Sequence, residues 1–145
     1  MLISNRTAFG LTIEAPAKVN LNLEILGRRD DGFHEIDSLF QAVSLCDRIE
    51  VSMAEEGEFE LSVSGTVELP EDESNIVTKA FRLMQDRFAL KGGLRVELQK
   101  RIPIAAGLGG GSADGAAAML AINLLYGLGQ STDALAELSG EIGSD

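Results

Sequence analysis

The chain has 145 residues, the length of one ordinary domain, and its 45% hydrophobic and 24% charged residues make a globular rather than a disordered composition. Its formal net charge of −11 argues against a nucleic-acid or anionic-membrane binder, because both of these need a cationic face. A single cysteine excludes an intramolecular disulfide framework, and the lack of a membrane-length apolar run or an apolar signal core predicts a cytoplasmic protein.

Strand signals dominate the beginning of the chain. Apolar and polar residues alternate over residues 9–26, and Pro16 inside this stretch predicts a break or a division into two strands. Asp31 and Gly32 then form a typical reversal pair. We therefore expect a strand, or two short ones, that ends at a turn near residue 32.

The acidic residues concentrate between Asp47 and Glu73, where ten acidic residues and one basic residue leave a net charge of −9. Within this stretch, residues 47–53 and 58–63 alternate and predict a strand pair joined through Gly57. The acidic side chains are interpreted as one solvated face of these strands, with a metal-binding patch as the weaker alternative. We expect them to lie away from the glycine-rich part of the chain.

The second half of the chain is predicted to be largely helical. Ser74 or Asn75 is a suitable N-terminal cap for the first helix, and Gly92–Gly93 is predicted to end it. One further strand is indicated by the alternation over residues 94–98. The helices are predicted over residues 75–90, 112–126 and 132–142. Strands, helix, strand and helices in this order predict a mixed α+β domain.

The most informative segment is the glycine-rich segment, residues 103–113, which a strand enters and a helix leaves. Glycines let successive backbone N–H groups converge on one anion, and the start of a helix favours negative charge, so this arrangement suits a phosphate group. No lysine follows the glycines as a P-loop requires, and Ser112 stands where the dinucleotide fingerprint needs its third glycine. A hinge, or close packing of a strand against a helix, is the alternative.

Two further features carry polar groups in unusual places. Lys18 and Asn20 share one side-chain parity inside an otherwise apolar strand, where polar groups are costly unless they are paired or functional. Phe33 lies beside His34, the only histidine, directly after the turn. A lysine at a strand edge that reaches solvent, and an ordinary surface or core histidine, are the alternatives to a functional site.

Together these pieces resemble the GHMP kinase superfamily. The resemblance rests on three motifs, whose order and spacing agree with the family. They are Ala-Lys-Val-Asn-Leu at 17–21, Asp-Gly-Phe-His at 31–34, and Ile-Pro-Ile-Ala-Ala-Gly-Leu-Gly-Gly-Gly-Ser at 102–112. The third motif alone points to the superfamily. The first two motifs point to its branch that acts in the non-mevalonate isoprenoid pathway.

The resemblance implies an α+β fold in which helices pack on one side of a mixed sheet. It implies ATP-dependent phosphorylation, with Mg²⁺, of the 2-hydroxyl of a CDP-linked methylerythritol. Residues 1–145 would be the N-terminal ATP-binding domain, and the C-terminal domain of the family would be absent from this chain. We therefore expect the chain alone to be inactive, and to self-associate through the surface that the other domain covers in the family.

The resemblance also assigns roles to individual residues. Lys18 and Asp145 match catalytic positions, Ser112 is the candidate metal contact, and the matches to substrate-binding positions are Asn20, Phe33 and His34. Phe33 stands where tyrosine is usual, and Ala113 stands where a second serine is common. The matches to ATP-binding positions are Asn75, Lys100, Pro103, Ile104, Ala105, Ala106, Gly107, Leu108, Gly109, Gly110, Gly111, Ser112 and Ala113.

Two other functions stay open from the sequence. One is a related kinase that phosphorylates mevalonate, homoserine or a sugar. The other is a non-catalytic nucleotide-binding module derived from such a kinase. The pair Phe33 and His34 discriminates between the substrates, because the resemblance implies that they recognise cytosine, the ring by stacking and His34 by a hydrogen bond.

Overall fold

A computed structural model of the chain describes residues 1–143, so that Asp145, which the sequence predicts to be catalytic, lies outside the described residues. The elements in chain order are β1 (Leu2–Ser4), β2 (Gly10–Arg28), β3 (His34–Ala54), β4 (Phe59–Gly65), α1 (Ile76–Phe88), β5 (Gly93–Lys100), α2 (Gly110–Leu125) and α3 (Thr132–Ser139). Within residues 1–143, no helix combines the length and the apolar character needed to cross a membrane.

The five strands form one mixed sheet in the order β1-β2-β3-β5-β4. All neighbours are antiparallel except β4 and β5, which are parallel and are joined by α1. One face of the sheet shares a single hydrophobic core with the helices, to which α1 contributes Phe81 and Met84 and α2 contributes Met119 and Ile122. This arrangement confirms the α+β fold with a mixed sheet.

The predicted pairing of residues 47–53 with 58–63 is wrong. Strand β5 lies between β3 and β4, so that Val51 is opposite Val96, and Val96 is opposite Leu61. A short turn at Gly57 would make β3 and β4 antiparallel neighbours. Instead, the chain passes from β4 through α1 and returns as β5, which is parallel to β4 and lies between β3 and β4. Alternation along the sequence identifies strands but does not give their order.

The predicted break at Pro16 is also wrong, because β2 continues through it. Pro16 is opposite Cys46, and the register with β3 shifts directly after it, between Pro16 and Lys18. Proline has no N–H to give to the ladder, and this local irregularity accommodates the missing donor.

The predicted helices are all present, with changed ends. Helix α1 ends at Phe88, where Ala89 adopts a left-handed conformation with φ of 50°, and not at Gly92 and Gly93. Those two glycines serve close packing instead, because a Cβ on Gly92 would lie 2.3 Å from the Tyr126 hydroxyl. Helix α3 ends at Ser139, three residues before the predicted end.

Candidate active site

The start of α2 presents free backbone donors. Asn75 caps α1 and Ser131 caps α3 through their side chains, but Gly109 stands at the N-terminus of α2 and gives no side-chain cap. The first N–H groups of a helix have no partner within the helix, and the helix dipole adds positive potential there. The glycine-rich segment therefore leads into a ready anion site.

Glycine permits two features of this site. Gly109 has a φ of 68°, and a Cβ there would lie 3.1 Å from Lys18 Cγ, so the residue gives both the turn and the room for the lysine. A Cβ on Gly111 would meet nothing within 4 Å, so the surface above Gly111 is open to a ligand. Ala105 also has a positive φ, 57°, a strain of about 1 kcal/mol that the segment stores.

Lys18 lies against this helix start from the side of β2. Its backbone N–H donates to the carbonyl of Leu108 at 2.9 Å, which ties the strand to the glycine-rich segment. Its Nζ donates to Asn20 Oδ1 at 2.9 Å and lies 5.2 Å from the centre of the Phe40 ring. The two polar residues that the sequence singles out thus share one face and contact each other.

Two cavities meet at Ile76 and Gly109. The first, of about 280 Å³, is lined by Lys18 and Ser112 and reaches Gly143, the last described residue. The second, of about 330 Å³, lies beneath the glycine-rich segment and is lined by Asn75 and by residues 103–111. The predicted catalytic lysine and the predicted ATP-binding residues therefore flank one helix start from two sides.

A buried ionic cluster, Asp47–Lys100–Asp114, lies beneath the glycine-rich segment. Lys100 Nζ donates to Asp114 at 2.7 Å and also to Asp47, and all three side chains are at most 3% exposed. The Lys100 ammonium thus lies between two carboxyl groups. Lys100 lines the second cavity, but it is not a free cation, and its predicted contact with a nucleotide stays a prediction.

Burial and hydrogen bonding act in opposite directions on the pKa values of this cluster. Removal from water raises the pKa of Asp114 to about 7, and the hydrogen bond and charge of Lys100 offset only part of that rise. Burial lowers the pKa of Lys100, but the hydrogen bonds to Asp114 and Asp47 outweigh it, so that the pKa lies above its ordinary value. Lys100 therefore stays charged at neutral pH.

Comparisons with known proteins bear on this arrangement. The family model described as "GHMP kinases N terminal domain" matches residues 75–145. A crystal structure of 4-(cytidine 5'-diphospho)-2C-methyl-D-erythritol kinase is 39% identical with a TM-score of 0.76, over 92% of this chain and 46% of that one. This chain carries a GHMP kinase N-terminal domain.

Relatives of this GHMP kinase domain agree in sequence and in fold. The 4-diphosphocytidyl-2-C-methyl-D-erythritol kinase of Bacillus cereus is 42% identical over 93% of this chain. Homoserine kinase from Cytophaga hutchinsonii shares the fold at 23% identity, with a TM-score of 0.73 over 97% of this chain and 43% of that one. The chain spans about half the length of the curated relatives it matches, 46% of the Bacillus cereus enzyme.

The long hairpin of β2 and β3 carries the remaining predicted residues of the GHMP kinase domain. Asn20 is opposite Phe40, and Arg28 is opposite His34. Residues 34–42 of β3 pair without a bulge on their own strand, so His34 and Phe40 point to the same side as Lys18 and Asn20. Phe33 and His34 are exposed at the far end of the hairpin, up to about 27 Å along the strand from the position opposite Lys18.

Asn75 holds the local structure of the domain. Its Oδ1 accepts from the Val77 N–H at 2.9 Å as the cap of α1, and its Nδ2 donates to the Pro70 carbonyl at 2.8 Å. The side chain is 5% exposed and lines the second cavity. Its predicted contact with the nucleotide stays a prediction. The second hydrogen of the Asn75 Nδ2 amide is available for that contact.

Asp47 and Asp114 are two residues of the site that the sequence motifs do not predict. The sequence predicts that the acidic stretch lies away from the glycine-rich segment, but its first residue, Asp47, is fully buried and accepts hydrogen bonds from Arg101 and Ile102, which lead into that segment. A signal existed, because Asp47 has the same parity as the buried Ile49 and Val51. A carboxylate at a core-facing strand position needs a buried partner, and Lys100 supplies it.

Proposed function

We propose that this chain is the nucleotide-binding half of a kinase that phosphorylates the 2-hydroxyl of 4-diphosphocytidyl-2-C-methyl-D-erythritol with ATP. The observation that carries the proposal is the uncapped start of α2, with its open glycine surface, beside the ammonium of Lys18. Relatives named for this activity, at 42% identity, support the choice of substrate over mevalonate, homoserine or a sugar. The proposed location of the reaction is the cytoplasm.

The residues present fit ATP in a specific way. The N–H groups of residues 110–112 would hold the phosphate oxygens, and the second cavity, with Asn75 and Lys100 in its wall, would take the nucleoside. When bound, ATP supplies the phosphoryl group, and Mg²⁺ neutralises its charge. Ser112 lines the first cavity near Lys18 and is the residue that we assign to a metal contact.

Lys18 would act on the transferred phosphoryl group. Its ammonium stands beside Gly109, where it stabilises the charge that develops on the phosphoryl oxygens as the substrate hydroxyl attacks. Asn20 holds Lys18 through its Oδ1 and keeps an amide donor for the substrate. Asp145, outside the described residues, is proposed to accept the proton of the attacking hydroxyl, while the bond between the phosphoryl group and ADP breaks.

An ADP-release assay tests the proposal. The parent, meaning this chain extended by the C-terminal domain of its relatives, should turn over 4-diphosphocytidyl-2-C-methyl-D-erythritol and leave mevalonate and homoserine unphosphorylated. The 145-residue chain should show no turnover. Equal activity of the two proteins would refute the half-site part of the proposal. A parent that prefers mevalonate or homoserine would refute the substrate, and MgATP binding by the parent without any turnover would favour the non-catalytic module.

Base recognition at the end of the hairpin has a separate test. In the parent, His34→Ala should raise the KM for the cytidylyl substrate at least about tenfold, the effect of one lost hydrogen bond to a bound base. Glu35→Gln is the matched control, because Glu35 is the next residue of β3 and points to the opposite side. An unchanged KM in His34→Ala would exclude this role.

A further inference from the structure

The Asp47–Lys100–Asp114 cluster joins both ends of the glycine-rich segment. Asp47 Oδ1 accepts the backbone N–H of Arg101 at 2.6 Å and that of Ile102 at 2.9 Å, the two residues that lead into the segment. Asp114 lies in the first turns of α2, where the segment ends. Lys100 bridges the two carboxylates, so the entry and the exit of the segment are linked through one ammonium group.

This cluster is costly for an element that only fills space. Three ionisable groups lose their hydration, and well-packed apolar residues of similar volume often serve stability equally well or better. Asp114 Oδ1 is buried and has no hydrogen-bond partner among residues 1–143, which adds to the cost of the cluster. Charged groups contribute geometric specificity, because each of their hydrogen bonds fixes the separation and orientation of two elements.

We propose that Asp47 and Asp114 are positioning residues for the nucleotide, which act through Lys100 by fixing the start of α2 relative to residues 101 and 102. The inference rests on the proposed nucleotide site and adds two residues whose side chains are at most 1% exposed, of which Asp114 lies in the wall of the second cavity. A shift of the helix start by a fraction of an ångström would spread the N–H groups that must converge on one phosphate. The cluster thus sets the shape of the site from below.

Three variants separate positioning from stability. Asp114→Leu removes the acceptor for Lys100 and keeps the branched shape of the side chain, and Asp114→Asn keeps one oxygen for Lys100. Val96→Ala destabilises the buried centre of β5 and leaves the three residues of the cluster unchanged. MgATP affinity is measured by calorimetry, amide exchange of Arg101 and Ile102 by NMR without nucleotide, and stability by thermal unfolding.

Asp114→Leu should weaken MgATP binding at least about tenfold and speed exchange at Arg101 and Ile102 by a similar factor, since the lost hydrogen bond is one to a charged group. Asp114→Asn should restore the affinity to within about threefold of wild type, because the amide oxygen replaces the lost acceptor. Val96→Ala should lower the unfolding temperature and leave the affinity and both amides unchanged.

Other outcomes would overturn the proposal. Wild-type affinity in Asp114→Leu would exclude positioning, and an equal loss in Asp114→Asn and Asp114→Leu would show that the bond to Lys100 is not what matters. If the wild type binds no MgATP, the proposed function fails for this chain, and unchanged exchange in Asp114→Leu then refutes positioning by itself. If Asp114→Leu does not fold, Asp114→Ala removes the acceptor for Lys100 with a smaller side chain that favours the helix, and wild-type affinity in that variant would be equally decisive.

Discussion

The glycine-rich segment contains glycines for two different reasons, and Gly109 and Gly111 are one example of each. A Cβ at Gly109 would press on Lys18 at a positive φ, whereas a Cβ at Gly111 would meet nothing of the protein within 4 Å. The folded chain alone therefore does not require glycine at position 111. The proposed approach of the phosphates to the backbone would require it, and this difference is measurable.

Gly111→Ala should leave stability unchanged or raise it by up to about 1 kcal/mol, the difference in helix propensity between the two residues. MgATP affinity should fall at least about tenfold, because the methyl group would stand where the phosphates approach the N–H groups. Calorimetric titration measures the affinity, and Gly27→Ala, another open glycine without positive φ, is the matched control. Unchanged affinity in Gly111→Ala would remove the phosphates from this helix start.

Asp114 makes stability depend on pH. Burial raises its folded pKa to about 7, so the folded protein keeps a proton that the unfolded chain releases above pH 3.8. This contribution is complete below pH 3.8 and is lost as the pH rises through about 7. The free energy of unfolding should therefore fall over this range, relative to Asp114→Asn, by up to about 4 kcal/mol. Urea unfolding of both proteins from pH 4.5 to 8 measures it, and parallel profiles would contradict the assignment.

At the scale of the element, α1 ends at a residue poorly suited to its conformation. Ala89 has a φ of 50°, and its N–H donates to the carbonyl of Gln85. The left-handed conformation of an alanine lowers the free energy of unfolding by about 1–2 kcal/mol. Glycine avoids this strain, but the greater freedom of its unfolded chain lowers the free energy of unfolding by about 0.4–1 kcal/mol.

Ala89→Gly should therefore stabilise the protein by about 0.5–1 kcal/mol. Denaturant unfolding measures the change. Ala136→Gly, in the exposed interior of α3, is the control and should destabilise by about 1 kcal/mol. Destabilisation by Ala89→Gly would mean that α1 ends in a different conformation.

The elements also show what local sequence decides. Alternation predicted β2, β4, β5 and residues 47–53 of β3, but it did not predict β1 or residues 34–46. Apolar spacing predicted α1, apolar composition predicted α2, and a capping residue predicted α3. The position of β5 between β3 and β4 depends on contacts between distant residues, which no local pattern encodes. Lys18 and the glycine-rich segment stand in local motifs, so the sequence could mark them as candidate site residues. The pairing of Asp47 with Lys100 joins two distant strands, so it could be recognised only once the strand order was known.

At the scale of the whole molecule, the hairpin of β2 and β3 extends beyond the core with large apolar side chains exposed. On the side that carries Lys18 and Asn20, register places Leu23 and Ile25 beside Ile36 and Phe40, and these four side chains are each about half exposed or more. We call these four residues the hairpin patch. Monomeric proteins rarely expose contiguous apolar surface of this kind without a partner.

The hairpin patch predicts self-association of the 145-residue chain, since a second copy is the partner available in a pure solution. Ile25 and Ile36 are directly opposite each other, so Ile25→Lys with Ile36→Glu places an ion pair across the strands and makes the patch polar while the ladder stays intact. Sedimentation velocity should show concentration-dependent association of the wild type and a monomer for the double variant. Leu39→Asn, on the opposite side of β3, is the control and should associate like the wild type. A wild type that stays monomeric at high concentration would contradict the prediction, and an unchanged association in the double variant would move the contact to another surface.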